Sequence, residues 1–215
     1  MAERRPLKSR DRAWAKALAS LFVRLRIRPN AISLFSVVFA LLACAGFLLS
    51  RKALGGQRLI WLLVAAAGIQ LRLLCNLLDG MVAVEGKMGS KVGEIYNDFP
   101  DRIADPLIIV PAGYAIIRFY TLGPTSGWLA GLLAVMTAYI RVLAGSVRAK
   151  QDFVGPMAKP HRMATLTFAA IVDAVAGYLR FRDYALMLAL IVIILGTIIT
   201  MIRRTRRMAA ELESR

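Results

Sequence analysis

The chain has 215 residues, 58% of them hydrophobic, and a mean hydropathy of +0.60, above the roughly half-apolar composition of a soluble domain. Its 29 Lys and Arg against 13 Asp and Glu give a net charge of +16, but the basic residues flank long apolar runs, which anionic headgroups explain better than nucleic acid does, and no nucleic-acid partner is expected. His161 is the single histidine and Cys44 and Cys75 sit inside apolar runs, so His/Cys zinc sites, His-based triads and a disulfide framework lack material.

Residues 1–30 carry Arg4, Arg5, Lys8, Arg10, Arg12, Lys16, Arg24, Arg26 and Arg28, with Trp14, Leu18, Leu21 and Leu25 at helical spacing. This pattern predicts a basic amphipathic helix lying in the membrane interface. Six spanning helices follow, over about 31–50, 57–83, 92–118, 126–149, 161–180 and 184–202, each near the 20 residues that cross a bilayer. The predicted fold class is therefore an all-α integral membrane protein. It comprises an interfacial helix (1–30), a six-helix membrane domain (31–202) and a basic tail (203–215). Lys and Arg collect at both ends and at 87–91 and 148–162, which predicts cytoplasmic termini and places the loop after the second span on the same side.

Close to half of the acids fall between Asn76 and Asp105: Asp79, Glu85, Glu94, Asp98, Asp101 and Asp105. On the second span Arg72, Asn76, Asp79 and Ala83 are spaced 4, 3 and 4 and share a helix face, as do Gly93, Asn97, Asp101 and Asp105 on the third. A short hairpin joins the two, so the polar faces can meet at the cytoplasmic mouth. Glu94 and Asp98 lie on a neighbouring stripe, which a kink at Pro100 would turn inward. Crowded carboxylates need a countercharge, and oxygen-only donors point to Mg²⁺ or Mn²⁺ sharing its coordination with a phosphate or diphosphate.

The motif Asn76-x-x-Asp79-Gly80-x-x-Ala83-Val84, eight residues, then Gly93-x-x-x-Asn97-x-x-x-Asp101 resembles the signature DxxDGxxAR…GxxxDxxxD of the CDP-alcohol phosphotransferases. The spacing agrees throughout; Asn76, Val84 and Asn97 stand where the family has Asp, Arg and Asp. Pro29-Asn30-Ala31-Ile32-Ser33, opening the first span, also looks like the family. The resemblance implies a homodimer that binds CDP-diacylglycerol or another CDP-alcohol. Two divalent cations would hold its diphosphate, and an acceptor hydroxyl would attack the lipid-bearing phosphorus with CMP leaving.

Carried over by position, Asp101 matches the general base and Asp79 a metal ligand. Asn76, Asn97 and Asp101 fall at the other ligand positions, and Gly80, Ala83 and Gly93 at small positions facing the nucleotide. Glu94 and Asp98 are candidate replacement ligands, because two Asn lower the four signature acid positions from −4 to −2. Arg72 or Lys87 is a candidate for the guanidinium lost at Val84.

Arg141 and Arg148, on the fourth span, and Lys159 and Arg162, in the loop beyond it, are candidate anchors for a phosphorylated polar acceptor, Arg141 above all because an arginine inside a span is costly. Asp105 is expected to pair with Arg102 or Arg72, and Asp173 with Arg141 or Arg180. His161 reads as a loop residue and Glu85 as solvated. The expected setting is a bacterial inner membrane, among membrane lipids. Two readings stay open: a transferase of phospholipid biosynthesis, or a family member that binds nucleotide, lipid or metal without transfer.

Overall fold

A computed structural model of the protein describes residues 12–86, 88, 92–179 and 184–215, and all their side chains save those of Glu94 and Asn97. Among these residues seven helices form and no strand: α1 Ala13–Arg24, α2 Pro29–Ser50, α3 Gly55–Glu85, α4 Gly93–Ala115, α5 Gly123–Ser146, α6 Lys159–Tyr178 and α7 Ala185–Glu213. Proline at the first turn, where no backbone donor is needed, starts α2, α5 and α6. The segment expected as a basic tail continues α7 helically to Glu213.

Helices α2 to α7 close into a ring in the order α2, α3, α6, α7, α5, α4 and back to α2. Small residues let the helices approach. A Cβ on Gly46 would lie 2.7 Å from the backbone of Ala65, and one on Gly68 would lie 2.8 Å from that of Ala43, so α2 and α3 pack backbone to backbone. The core inside the ring includes Phe47, Leu62, Ile69, Ile108, Ile109, Leu166 and Leu190. α1 docks on the outside of α3, burying Ala15 and Ala19 against Leu77, Leu78, Met81 and Val82, while Trp14, Leu21 and Leu25 stay exposed.

Four helices, α2, α3, α5 and α7, are long and apolar enough to cross a membrane. The two ring helices that are not, α4 and α6, are among the six expected spans. They fall short in composition, since α4 carries Asp98, Asp101, Arg102 and Asp105 and α6 carries Lys159, Arg162 and Asp173. α4 also runs through Pro100, Pro106 and Pro111, each of which removes a helix hydrogen bond. These polar helices carry most of the candidate site.

Candidate functional site

The site is a ladder of charge strung between three helices. Arg72 and Asn76 are one turn apart on α3, Asp101 and Asp105 one turn apart on α4, and Lys159 and Arg162 one turn apart at the start of α6. From α3, Arg72 Nη2 donates to Asp101 Oδ1 at 2.9 Å and lies 3.0 Å from Asp105 Oδ1, a contact of charge more than of hydrogen-bond alignment. Asn76 Nδ2 donates to the same Asp101 Oδ1 at 2.8 Å. An ionised carboxylate only accepts, so the amide must turn its NH₂ to Asp101 and its oxygen away. From α6, Lys159 pairs with Asp101 Oδ2, and Arg162 Nη2 donates to Asp105 Oδ2 at 2.8 Å.

Asp98 stands to one side. Arg141 Nη2, from α5, reaches both its oxygens at 2.6 and 2.8 Å, and Arg102 donates to it at 3.1 Å. Asp79, buried on α3, accepts a 2.6 Å hydrogen bond from the Ser33 hydroxyl of α2. The Pro29–Ser33 stretch thus carries a positioning group for Asp79, a role the sequence alone did not assign.

Part of this set borders a cavity of about 480 Å³, whose wall includes Asn76, Asp101, Arg102, Arg141, Lys159 and Arg162. Its further lining residues include Trp14, Phe153 and Arg204. Phe153 lies against the Arg141 guanidinium, 5.4 Å from ring centre to its carbon. Arg204, assigned by sequence to the tail, is instead buried, donating to Val154 O at 3.1 Å and Thr137 O at 3.0 Å. Its only sequence signal is its place one helical turn beyond Thr200.

The expected residues divide accordingly. Asn76, Asp101, Arg141, Lys159 and Arg162 come together at one cavity, and Asp98 adjoins it through Arg141. Asp79 lies one turn from Asn76, with Gly80 and Ala83 beyond it on α3 and Gly93 opening α4. Val84 is exposed. Arg148 does not join them: α5 ends at Ser146, and Arg148, with φ of 60°, is exposed outside the cavity wall. The side chains of Glu94 and Asn97, and all of Lys87 and Arg180, lie outside the described residues. Asp105 pairs with Arg72, as expected, and with Arg162 where Arg102 was the alternative. Asp173 caps α7, while Arg141 goes to Asp98.

A profile of CDP-alcohol phosphatidyltransferases matches residues 26–204, all six ring helices nearly to the end of α7. The chain belongs to the CDP-alcohol phosphatidyltransferase family. Among its relatives, the inner membrane protein YnbA of Escherichia coli (strain K12) is 28% identical over 193 residues, 86% of this chain and 88% of that protein. Two crystal structures of Mycobacterium tuberculosis phosphatidylinositol phosphate synthase (PgsA1) share the fold. The form with CDP-DAG bound gives a TM-score of 0.73 at 20% identity, over 90% of this chain and 92% of that one. The form in complex with manganese and citrate gives 0.70 at 20%, over 90% and 88%. With its four apolar spans, this CDP-alcohol phosphatidyltransferase family member is an integral membrane protein.

Whether the divalent cations implied by the family resemblance fit here is decided by the donors. Among the described residues no three His, Cys, Asp or Glu side chains gather into a cation cage. Asp79 and the amide oxygen of Asn76 are hard donors of the kind that Mg²⁺ and Mn²⁺ take. Asp101, Asp105 and Asp98 are each already held by two cations of the protein. Among the described side chains the remaining hard donors are too few for a pair of divalent cations.

Proposed function

We propose that the protein transfers a substituted phosphoryl group from a CDP-alcohol, CDP-diacylglycerol in the first instance, to a polar alcohol, releasing CMP in phospholipid synthesis. The observation that carries this reading is the single cavity in which Asp101 stands among Arg141, Lys159 and Arg162, in a chain of this family. Among the described residues, the ion-paired groups together with Asp79 are four acids (Asp79, Asp98, Asp101, Asp105) against five cations (Arg72, Arg102, Arg141, Lys159, Arg162). That excess of one positive charge favours an anionic substrate.

In this reaction the acceptor oxygen forms a bond to the lipid-bearing phosphorus. The bond from that phosphorus to the bridging oxygen breaks, and CMP leaves with the electron pair. The acceptor proton passes to Asp101 Oδ2, once Lys159 moves from it to a substrate phosphate. A cation at Asp79 and Asn76 would supply countercharge to the diphosphate. Arg141, Lys159 and Arg162 hold the phosphate of a phosphorylated acceptor, and the Ser33 hydroxyl fixes the Asp79 carboxylate. Gly80, Ala83 and Gly93 leave room for the nucleotide.

We further propose that all six ring helices cross a bacterial inner membrane. α4 and α6 would be shielded by their neighbours, with the site and both termini cytoplasmic and two chains pairing as a dimer. The Lys and Arg distribution supports the orientation.

A second reading, binding without transfer, is favoured by the same ion pairs that occupy Asp101. Purified protein in lipid, given CDP-diacylglycerol, Mg²⁺ or Mn²⁺, and a panel of free and phosphorylated polyols, separates the two. Transfer predicts metal-dependent CMP release that falls by about 10² or more in Asp101→Asn. No release with any acceptor, and an Asp101→Asn protein indistinguishable from the parent, would leave the binding reading.

A further inference from the structure

Arg72 is fully buried, and both of its carboxylate partners lie on α4. Among the described residues its Nε and Nη1 have no hydrogen-bond partner, and a single nitrogen, Nη2, serves both carboxylates. Such a charge persists in an apolar interior only because Asp101 and Asp105 compensate it. The compensation runs both ways, since Asp101 Oδ1 receives the Arg72 guanidinium and the Asn76 amide together. The ladder of Arg72, Lys159 and Arg162 with Asp101 and Asp105 is three cations to two acids. An Asp at position 76 would balance it at three to three, whereas Asn76 leaves it positive and adds a neutral donor.

We propose that Arg72 is the resident counter-cation of Asp101, a positioning residue that holds Oδ1 and denies it to a divalent cation, so that the protein itself supplies charge that a second metal would otherwise bring. The inference rests on the transferase reading only in taking Asp101 as the reacting carboxylate. Arg72 and Asn76 fix Oδ1 from α3, which leaves Oδ2, the oxygen that Lys159 holds, as the one a substrate can free.

Mn²⁺ binding to the purified full-length chain in detergent, without any CDP-alcohol, tests this directly through the free-Mn²⁺ spin-resonance signal. The parent is expected to bind no more than one Mn²⁺ per chain. Arg72→Met, similar in length but uncharged, is expected to bind Mn²⁺ about tenfold more tightly, and Arg72→Lys to stay near the parent. Should Arg72→Met fail to fold, Arg72→Met/Asp105→Asn removes charge from both partners and carries the same expectation.

A gain of less than about threefold in the folded variant overturns the proposal. So does an equal gain in Arg72→Lys, which would show that charge is not the cause. Two Mn²⁺ per parent chain overturn it without any substitution. None of these readouts uses CMP release, so a protein that transfers nothing can still confirm or refute the role of Arg72.

Discussion

Helix α3 buries two arginines, and they solve opposite problems. Arg58 Nη1 donates to Ser50 O at 2.8 Å and Ala115 O at 3.3 Å, the last carbonyls of α2 and α4, and its guanidinium lies 5.6 Å from the Phe119 ring centre. Helix C-termini leave such carbonyls without intrahelical donors, so Arg58 ties two helix ends together. Arg72 instead takes full charges, Asp101 and Asp105, beside a cavity. The first arrangement closes the fold. The second holds charge in readiness where a polar ligand can enter, and the difference shows that burial of an arginine says little until its acceptors are known.

The largest expected effect lies in the charged ladder. Asp105→Ala removes the carboxylate of Arg162 and leaves Arg72 with Asp101 alone, and should cost about 3–5 kcal/mol of stability in detergent, the range for breaking a buried ion pair. Asp105→Asn, which keeps an acceptor, should cost clearly less. Equal losses in the two would mean that the charge of Asp105 alone, and not its capacity to accept a hydrogen bond, holds the guanidiniums. Next, Arg58→Met removes the donor from two helix-end carbonyls and should cost about 1–3 kcal/mol. Per folded molecule, its Mn²⁺ affinity and CMP release should match the parent's. If Arg58→Met shifts Mn²⁺ binding as Arg72→Met does, the contrast between the two arginines collapses.

Arg72, Asn76 and Asp79 were legible as one helix face because a helix repeats every 3.6 residues, and Asp101 with Asp105 for the same reason. The hairpin connection also foretold that the two faces meet. What periodicity cannot supply is the partner across a third helix. Lys159 and Arg162 look in sequence like an ordinary basic loop, yet they begin α6 one turn apart and reach the outer oxygens of Asp101 and Asp105. Asp98 carries no mark that it will go to Arg141, since that choice depends on how α4 and α5 are rotated against each other. Arg58 and Arg204 escaped notice because arginines at the edge of an apolar run are most simply read as membrane-flanking charge. Only the fold reveals the backbone carbonyls that receive them.

Asp173 extends the Arg58 side of the contrast, because it too stabilises helix ends. Its carboxylate accepts the N–H groups of Ala185 and Leu186, both at 2.9 Å, and so caps α7 from α6. Asp173→Ala should cost about 1–2 kcal/mol, with CMP release per folded molecule unchanged; a matching loss of turnover would put Asp173 on the functional side instead.

The smallest effect belongs to Asp152, where charge pairing happens in water. Burial opposes its ionised form, but the Val154 N–H and the Arg207 guanidinium outweigh that and hold the carboxyl below the ordinary carboxylate range. A group whose acidity is strengthened by folding contributes stability above its unfolded pKa, near 4, and loses it as the pH falls through the folded value. Arg207 is largely exposed, so Asp152→Asn should cost only about 0.5 kcal/mol at pH 7. Melting curves of parent and variant should converge as the solution is acidified below the ordinary carboxylate range. A gap that widens toward acid would reverse the sign and show that the Asp152 carboxyl is not held ionised by this pair.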